Sequence, residues 1–466
     1  MASTLPLVEP RIKPPLDPDF RPLALANHAF LRAARESGQA VPLRIALERG
    51  GGAISVFETE CFASDAPRAA ENLPYAERLV KTLLWAGGGW RVVVGGPPEV
   101  GEHIRRVYAP GGAQAFDAEF MGGVYEQPFT VQVCAPEEVP AAREAAVAVG
   151  RHLEGCRIGF DAGASDRKVA AVVDGEPVFS EEVPWDPRHQ SDPRYHYDGI
   201  NHSLKRAAEH MPRVDAIGVS AAGIYIANRV MVASLFRGVP KDAFEAEVKD
   251  LFLRIQREWG GIPLEVANDG DVTALAGSMA LNVSCLLGIA LGSSQAGGYV
   301  NEEGNITGWL NEVAFVPVDL NPNAPADEWS GDRGCGVSYF SQVAVIRLAP
   351  AAGIELGASQ SPAEQLEAVQ ELLAQGDDRA RRIMETIGCY MGYGIAHYAD
   401  LYDLRHVLIL GRVTSGEGGS IILEKAREVL GTEWPELAAR VRLNLPDEAT
   451  RRVGQAIAAA SLPALS

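Results

Sequence analysis

Residues 157–170 read Arg157-Ile158-Gly159-Phe160-Asp161-Ala162-Gly163-Ala164-Ser165-Asp166-Arg167-Lys168-Val169-Ala170. An apolar run ends on an aspartate, turns through small residues and leaves as a second apolar run. This pattern predicts strand, tight turn, strand. The turn carries what a phosphate needs. Gly163 lets backbone N–H groups approach, Ser165 adds a hydroxyl donor, Lys168 follows as a cation, and Asp161 can hold Mg²⁺ directly or through water. An ordinary β-turn with solvated charges has the same local composition, so the neighbouring segments must decide.

Downstream, Asp174-Gly175 predicts a hairpin into Glu176–Val183, giving three adjacent strands. A helix over 201–210, a buried strand over 216–220 within the glycine-ended stretch 214–223, a helix over 241–258, a strand over 264–267 and a helix over 271–280 follow. Between the last two lies Asn268-Asp269, at the carboxyl end of a strand, where open α/β sheets place their ligands. A carboxylate there can accept the proton of a substrate hydroxyl, with Asn268 bonding a neighbouring hydroxyl. The same pair also reads as a helix N-cap. A second strand opening into small and hydroxyl residues follows: Leu291-Gly292-Ser293-Ser294-Gln295-Ala296-Gly297-Gly298. Its N–H and O–H groups suit a second phosphate contact. After helices over 362–375 and 378–400, the strand 406–410 ends in a turn from Gly411 to Gly416, ahead of a helix after Gly419.

The order of these four elements resembles the ROK family of sugar kinases, of the actin/hexokinase/Hsp70 superfamily, from Cys156 to Ala460. The resemblance implies an α/β fold of two actin-like (ribonuclease H-like) lobes around a nucleotide cleft. It implies a first phosphate loop of Asp161, Gly163, Ser165 and Lys168, a sugar contact at Asn268 and a catalytic base at Asp269. It further implies a second phosphate loop of Gly292, Ser293, Ser294, Gly297 and Gly298, and an adenosine contact at Gly411 and Gly416. ATP and Mg²⁺ are the implied cofactors, and a small-molecule sugar or polyol is the implied substrate. A non-catalytic, sugar-binding regulatory or scaffold protein on the same fold is the alternative.

Departures from the family pattern fall on the sugar side. Where the family reads Gly-Glu-x-Gly-His, this chain has Asn311-Glu312-Val313-Ala314-Phe315, keeping Glu312 as a sugar contact and losing the histidine. The stretch 329–339 keeps one cysteine, Cys335, and has Val337 where a sugar-binding glutamate would stand. One thiol cannot build a tetrahedral site, so no structural zinc is expected.

Upstream of Cys156 the resemblance is silent. Residues 1–40 are proline-rich, with a helix over 23–35, and read as an arm. Residues 41–154 read as a small α/β region of unassigned role: a hairpin of 43–47 and 53–60, a helix over 75–86, a strand over 90–94, a helix over 99–108 and a helix over 136–153. The turn 95–98 lacks a phosphate-loop lysine and reads as a plain connection. Residues 155–280 and 281–466 are then the two expected lobes. A polar, aromatic loop, 185–198, offers rings and histidines that suit a sugar if they point inward.

Composition narrows the partners. Of 466 residues, 47% are apolar and 22% charged, which excludes a disordered or low-complexity chain. A net charge of −19 argues against nucleic acid or an anionic membrane surface as the main partner. Six cysteines without CxxC spacing predict reduced thiols and a cytoplasmic location, with a homodimer left open.

Overall fold

A computed structural model describes residues 5–144 and 149–465. The chain divides into two compact units that are not contiguous in sequence. The first comprises Met1–Ala145, Ile289–Gly297 and Gly308–Leu445, and the second Ala146–Gly288, Gly298–Thr307 and Pro446–Ser466.

In the first unit, β1 (Ala40–Glu48) and β2 (Ile54–Phe62) form the expected hairpin around the Gly50–Gly52 turn. With β3 (Arg91–Gly95) and β4 (Thr130–Cys134) they make a four-stranded sheet, ordered β2-β1-β3-β4. Helices Asn72–Gly87 and Pro98–Val107 match the expected ones to within a turn. The N-terminal arm, with its helix Leu23–Glu36, packs within this unit. Phe20 sits among Tyr339, Tyr390 and Tyr393, and Tyr390 donates to Asp17 at 2.5 Å.

Among the described residues of 136–153 the expected helix is absent. A 3-10 turn, Pro136–Glu138, is followed by Val139 in extended conformation, because Pro140 disfavours a helical residue before it. Arg143 then exchanges backbone hydrogen bonds with Ile54. Residues 145–148 of that stretch lie outside the described residues.

The second unit is built on β5 (Cys156–Ala162), β6 (Asp166–Val173), β7 (Glu176–Pro184) and β8 (Ala216–Ala221). A two-stranded ribbon, β9 (Ile224–Ile226) with β10 (Arg229–Val232), precedes β11 (Leu264–Asn268). The sheet order is β11-β8-β5-β6-β7: an antiparallel meander on one side, and two strands parallel to β5 on the other. This is the ribonuclease H-like arrangement. β5 and β8 are buried on both faces, as parallel strands covered by helices must be. One cover is the helix Glu448–Ala460, whose backbone approaches closely because Gly159 and Gly218 present no side chain. A Cβ on either would overlap the carbonyls of Ala456 and Ala459.

The single helix expected over 241–258 is broken into Lys241–Ala243, a π-turn Phe244–Val248 and Leu251–Glu258. The Lys249 carbonyl is turned aside to accept the N–H of Val230 at 2.9 Å, which removes it from the helical ladder.

The remaining strands, β12 (Leu286–Leu291), β13 (Gln295–Val300), β14 (His406–Leu410) and β15 (Arg442–Asn444), form a sheet ordered β13-β12-β14-β15. Among the described residues no helix is long and apolar enough to cross a membrane.

Candidate active site

Backbone register brings the acidic residues together in the second unit. β5, β8 and β11 are parallel, with Asp161 opposite Ser220 and Ala221 opposite Asn268. Three consecutive strands therefore end at one level, and their carboxyl ends carry Asp161, Ser220 and the Asn268-Asp269 pair. Asp161 is buried, 6% exposed, and its Oδ1 accepts the Ser220 hydroxyl at 2.8 Å. Burial, with the nearby Asp269 charge adding to it, raises the Asp161 carboxyl to about 6 against the pull of the Ser220 hydrogen bond. Asp269 is also raised by burial, while the N–H of Gly270 favours its ionised form. Two carboxylates kept from easy ionisation in one strand-end cluster are a signature of a chemical site.

Asn268 plays the cap reading in full. Its Oδ1 accepts the N–H of Gly270 at 2.7 Å, starting helix Asp269–Leu281, and its Nδ2 donates to the Gly223 carbonyl at 2.7 Å. These bonds fix the backbone on which Asp269 stands. Tyr225, on β9, donates to the Ala222 carbonyl at 3.3 Å, and the Asp269 charge adds to the burial that raises its phenol. Ser220 and Tyr225 are members of this cluster that the sequence reading passed over. The signal for Ser220 was its place at the end of a buried strand that pairs with the strand of Asp161.

The first loop is short and tied down. A side chain at Gly163 would come within 2.7 Å of the Asp166 carbonyl. Ser165 is exposed and donates to Asp166 at 3.1 Å, and Lys168 lies 3.4 Å from Asp166 and 3.9 Å from Glu182. Trp185 anchors the loop from outside: its indole N–H donates to the Gly163 carbonyl at 2.8 Å and its backbone N–H to that of Ser165 at 3.0 Å. Within the 185–198 loop, then, Trp185 is a buried brace. His196 is likewise buried, against the carbonyls of Pro187 and Leu235, while His189 is exposed at the surface.

The hairpin strand after the second loop runs against the same cluster. A Cβ on Gly298 would overlap the Gly270 carbonyl, and Tyr299 donates its N–H to Asp271 at 3.2 Å. In the first unit, Gly292 closes the loop by donating to the Ser294 carbonyl at 2.9 Å, leaving Ser293 and Ser294 exposed. Gly411 is adjacent to it: with φ of 99°, it lies where a Cβ would come within 2.5 Å of the Leu291 carbonyl. Gly416, φ 63°, has open space around it.

Glu312 and Phe315 sit in the first unit beside the N-terminal α/β region. Phe315 stacks on Trp85 at 4.0 Å between ring centroids and is 6.5 Å from Phe116. Val337 lies in the 3-10 turn Gly336–Ser338, and Cys335 is buried, its thiol pushed up to about 12 by burial. Among the described residues, no group of three or more His, Cys, Asp or Glu side chains is placed to share a metal ion.

Two solved structures give the comparison its content. A ROK hexokinase from Thermus thermophilus superposes with a TM-score of 0.51 at 20% identity, over 66% of this chain and 96% of that one. The chain has the ROK fold. A ROK family transcriptional regulator, a homolog of the E. coli MLC protein, superposes equally well, with a TM-score of 0.52 at 19% identity over 66% of this chain and 78% of that one. The ROK fold thus accompanies an enzyme in one neighbour and a regulator in the other, so function must be argued from the site. No family model matches the chain. No curated protein matches it.

Proposed function

We propose that this protein transfers the γ-phosphoryl group of ATP to a hydroxyl of a sugar or polyol. The observation that carries the reading is the Asp161–Ser220–Asp269 cluster at the carboxyl ends of three parallel strands. Asp269 is the base. Its carboxylate, raised by burial, accepts the proton of the attacking hydroxyl as the oxygen bonds to phosphorus, and ADP leaves with the electrons of the broken P–O bond. Asn268 holds the backbone on which Asp269 stands, and the second N–H and second lone pair of its amide remain for a neighbouring sugar hydroxyl. The loop containing Gly163, Ser165 and Lys168 and the loop containing Gly292, Ser293 and Ser294 supply N–H, hydroxyl and ammonium donors for the phosphates. Gly411 and Gly416 form the turn assigned to adenosine, and Glu312 is the substrate contact retained on the sugar side.

A buried carboxylate oxygen is the hard ligand that Mg²⁺ selects, and Mg²⁺ is held by one or two carboxylates plus substrate phosphates rather than by an all-protein cage. The Asp161 site fits that pattern. When bound there, Mg²⁺ would offset phosphate charge.

A second reading is favoured by one observation: Phe315, stacked on Trp85, places an apolar ring in the stretch where the resemblance implies a sugar-binding imidazole. On that reading the protein binds a sugar and signals. An ADP-release assay with MgATP and a panel of glucose, mannose, fructose, N-acetylglucosamine and mannitol separates the two. Turnover with at least one acceptor, lost in Asp269→Asn, supports the kinase. Sugar binding without ADP release supports the second reading.

A further inference from the structure

Helix Asn72–Gly87, in the region without assigned function, presents Arg78, Lys81 and Trp85 at a spacing that puts them on one face. Lys81 is fully buried, with its ammonium 2.8 Å from Asp117 and 3.3 Å from Asp332. Arg78 donates to Asp332 at 2.7 Å. Two cations from one helix therefore meet a single carboxylate in the loop 327–335. That loop is tied internally, because Asp327 accepts the N–H groups of Trp329 and Ser330 at 3.1 and 2.6 Å. It is also tied to the stretch after Phe315: Val318 donates to the Gly334 carbonyl at 2.8 Å and Gly336 to that of Val316 at 2.9 Å.

The C-terminal end of the same helix holds the Glu312 segment directly. The last carbonyls of a helix have no partner within it. Here those of Ala86 and Trp85 accept the N–H groups of Asn311 and Glu312, at 2.9 and 3.0 Å. The ring of the same Trp85 carries Phe315. So one helix grips two neighbouring segments, at its end by hydrogen bonds and stacking and at its middle by buried ion pairs. A buried charge is costly unless it is paired, which gives the Lys81–Asp117–Asp332 cluster little freedom to shift.

We propose that the N-terminal α/β region is a built-in positioning clamp, in which Arg78, Lys81 and Trp85 hold the Glu312 segment and the 327–335 loop in place for the sugar. The clause about sugar rests on the function proposed above; the clamp itself does not. Arg78, Lys81 and Trp85 are positioning residues: they act through Glu312 and its neighbours.

The test compares the full-length wild type with Arg78→Gln, Lys81→Met and the conservative Arg78→Lys. Amide hydrogen exchange, measured without ligand, is expected to quicken in 311–316 and 327–335 for Arg78→Gln and Lys81→Met, and to stay unchanged in 156–162 and 264–281. Arg78→Lys is expected to keep most of the wild-type protection. With whichever panel acceptor the wild type phosphorylates, the acceptor KM should rise about 10-fold or more while the KM for ATP moves less than about 3-fold, as for a misplaced contact remote from the chemistry. Unchanged exchange in both segments, in a folded Arg78→Gln protein, overturns the clamp. Arg78→Gln keeps the Lys81–Asp117 pair, so it decides the matter if Lys81→Met fails to fold. Wild-type inactivity on every acceptor would count against the kinase reading alone, since the exchange result is independent of turnover.

Discussion

The Asp161–Asp269 cluster and the Glu312 segment are held in place by opposite means. The first is fixed by backbone register: three parallel strands end together, and a cap at Asn268 and a hydroxyl at Ser220 complete it. The second is fixed by side chains and helix-end carbonyls from a region more than 200 residues earlier, with Arg78 and Asp332 separated by 254 positions. A site held by register persists wherever the strands form. A site held by distant packing can drift in specificity while the chemistry stays put.

Breaking the packing should have the largest effect on stability. Trp85→Ala removes a fully buried ring and its stack on Phe315, and is expected to cost about 3–5 kcal/mol by chemical denaturation. Trp85→Phe, which keeps a ring but leaves part of the indole's volume empty, should cost clearly less than Trp85→Ala. Equal losses in the two variants would mean that the stack does not hold the segment.

Glu265 sharpens the contrast on the register side. It lies on β11, four residues before Asp269, and burial raises its carboxyl to about 7 from 4.5, with Asn228 opposing. The unfolded chain ionises first, so the stability Glu265 contributes is full below pH 4.5 and is lost as pH rises through about 7. The loss amounts to up to about 3 kcal/mol. Glu265→Gln should match the wild type near pH 4.5 and exceed it by up to about 3 kcal/mol at pH 8, read from urea midpoints. A pH-independent difference between them would contradict the burial of this carboxyl.

The smallest stability effect belongs to Lys168. Its ammonium is exposed and its pairs with Asp166 and Glu182 are long, so Lys168→Met should change stability by less than about 0.5 kcal/mol. If Lys168 serves the phosphates, the same variant raises the KM for ATP several-fold while leaving the acceptor KM unmoved.

This difference in construction also explains what was legible in the sequence. Strand, turn and cap are local, so Asp161, Gly163 and the Asn268-Asp269 pair stood out from their immediate neighbours, and the hairpins and most helices followed the apolar periodicity. For the 185–198 loop the sequence left the direction of its rings open, because composition does not say which way a loop side chain points; Trp185 and His196 turn out to be bonded to backbone carbonyls and to brace the fold. The helix expected over 136–153 failed at Pro140, where alanine-rich propensity gave way to the proline's restriction of Val139. The clamp was invisible because nothing in residues 72–87 names Asp332 or Phe315 as partners.

The most direct measurement is a paired one on Asp269→Asn: acceptor binding by calorimetry and single-turnover phosphoryl transfer with MgATP. The account predicts acceptor affinity within about 3-fold of wild type and a transfer rate reduced by about 10² to 10⁴, the range for losing a general base. Transfer at the wild-type rate in Asp269→Asn would contradict it.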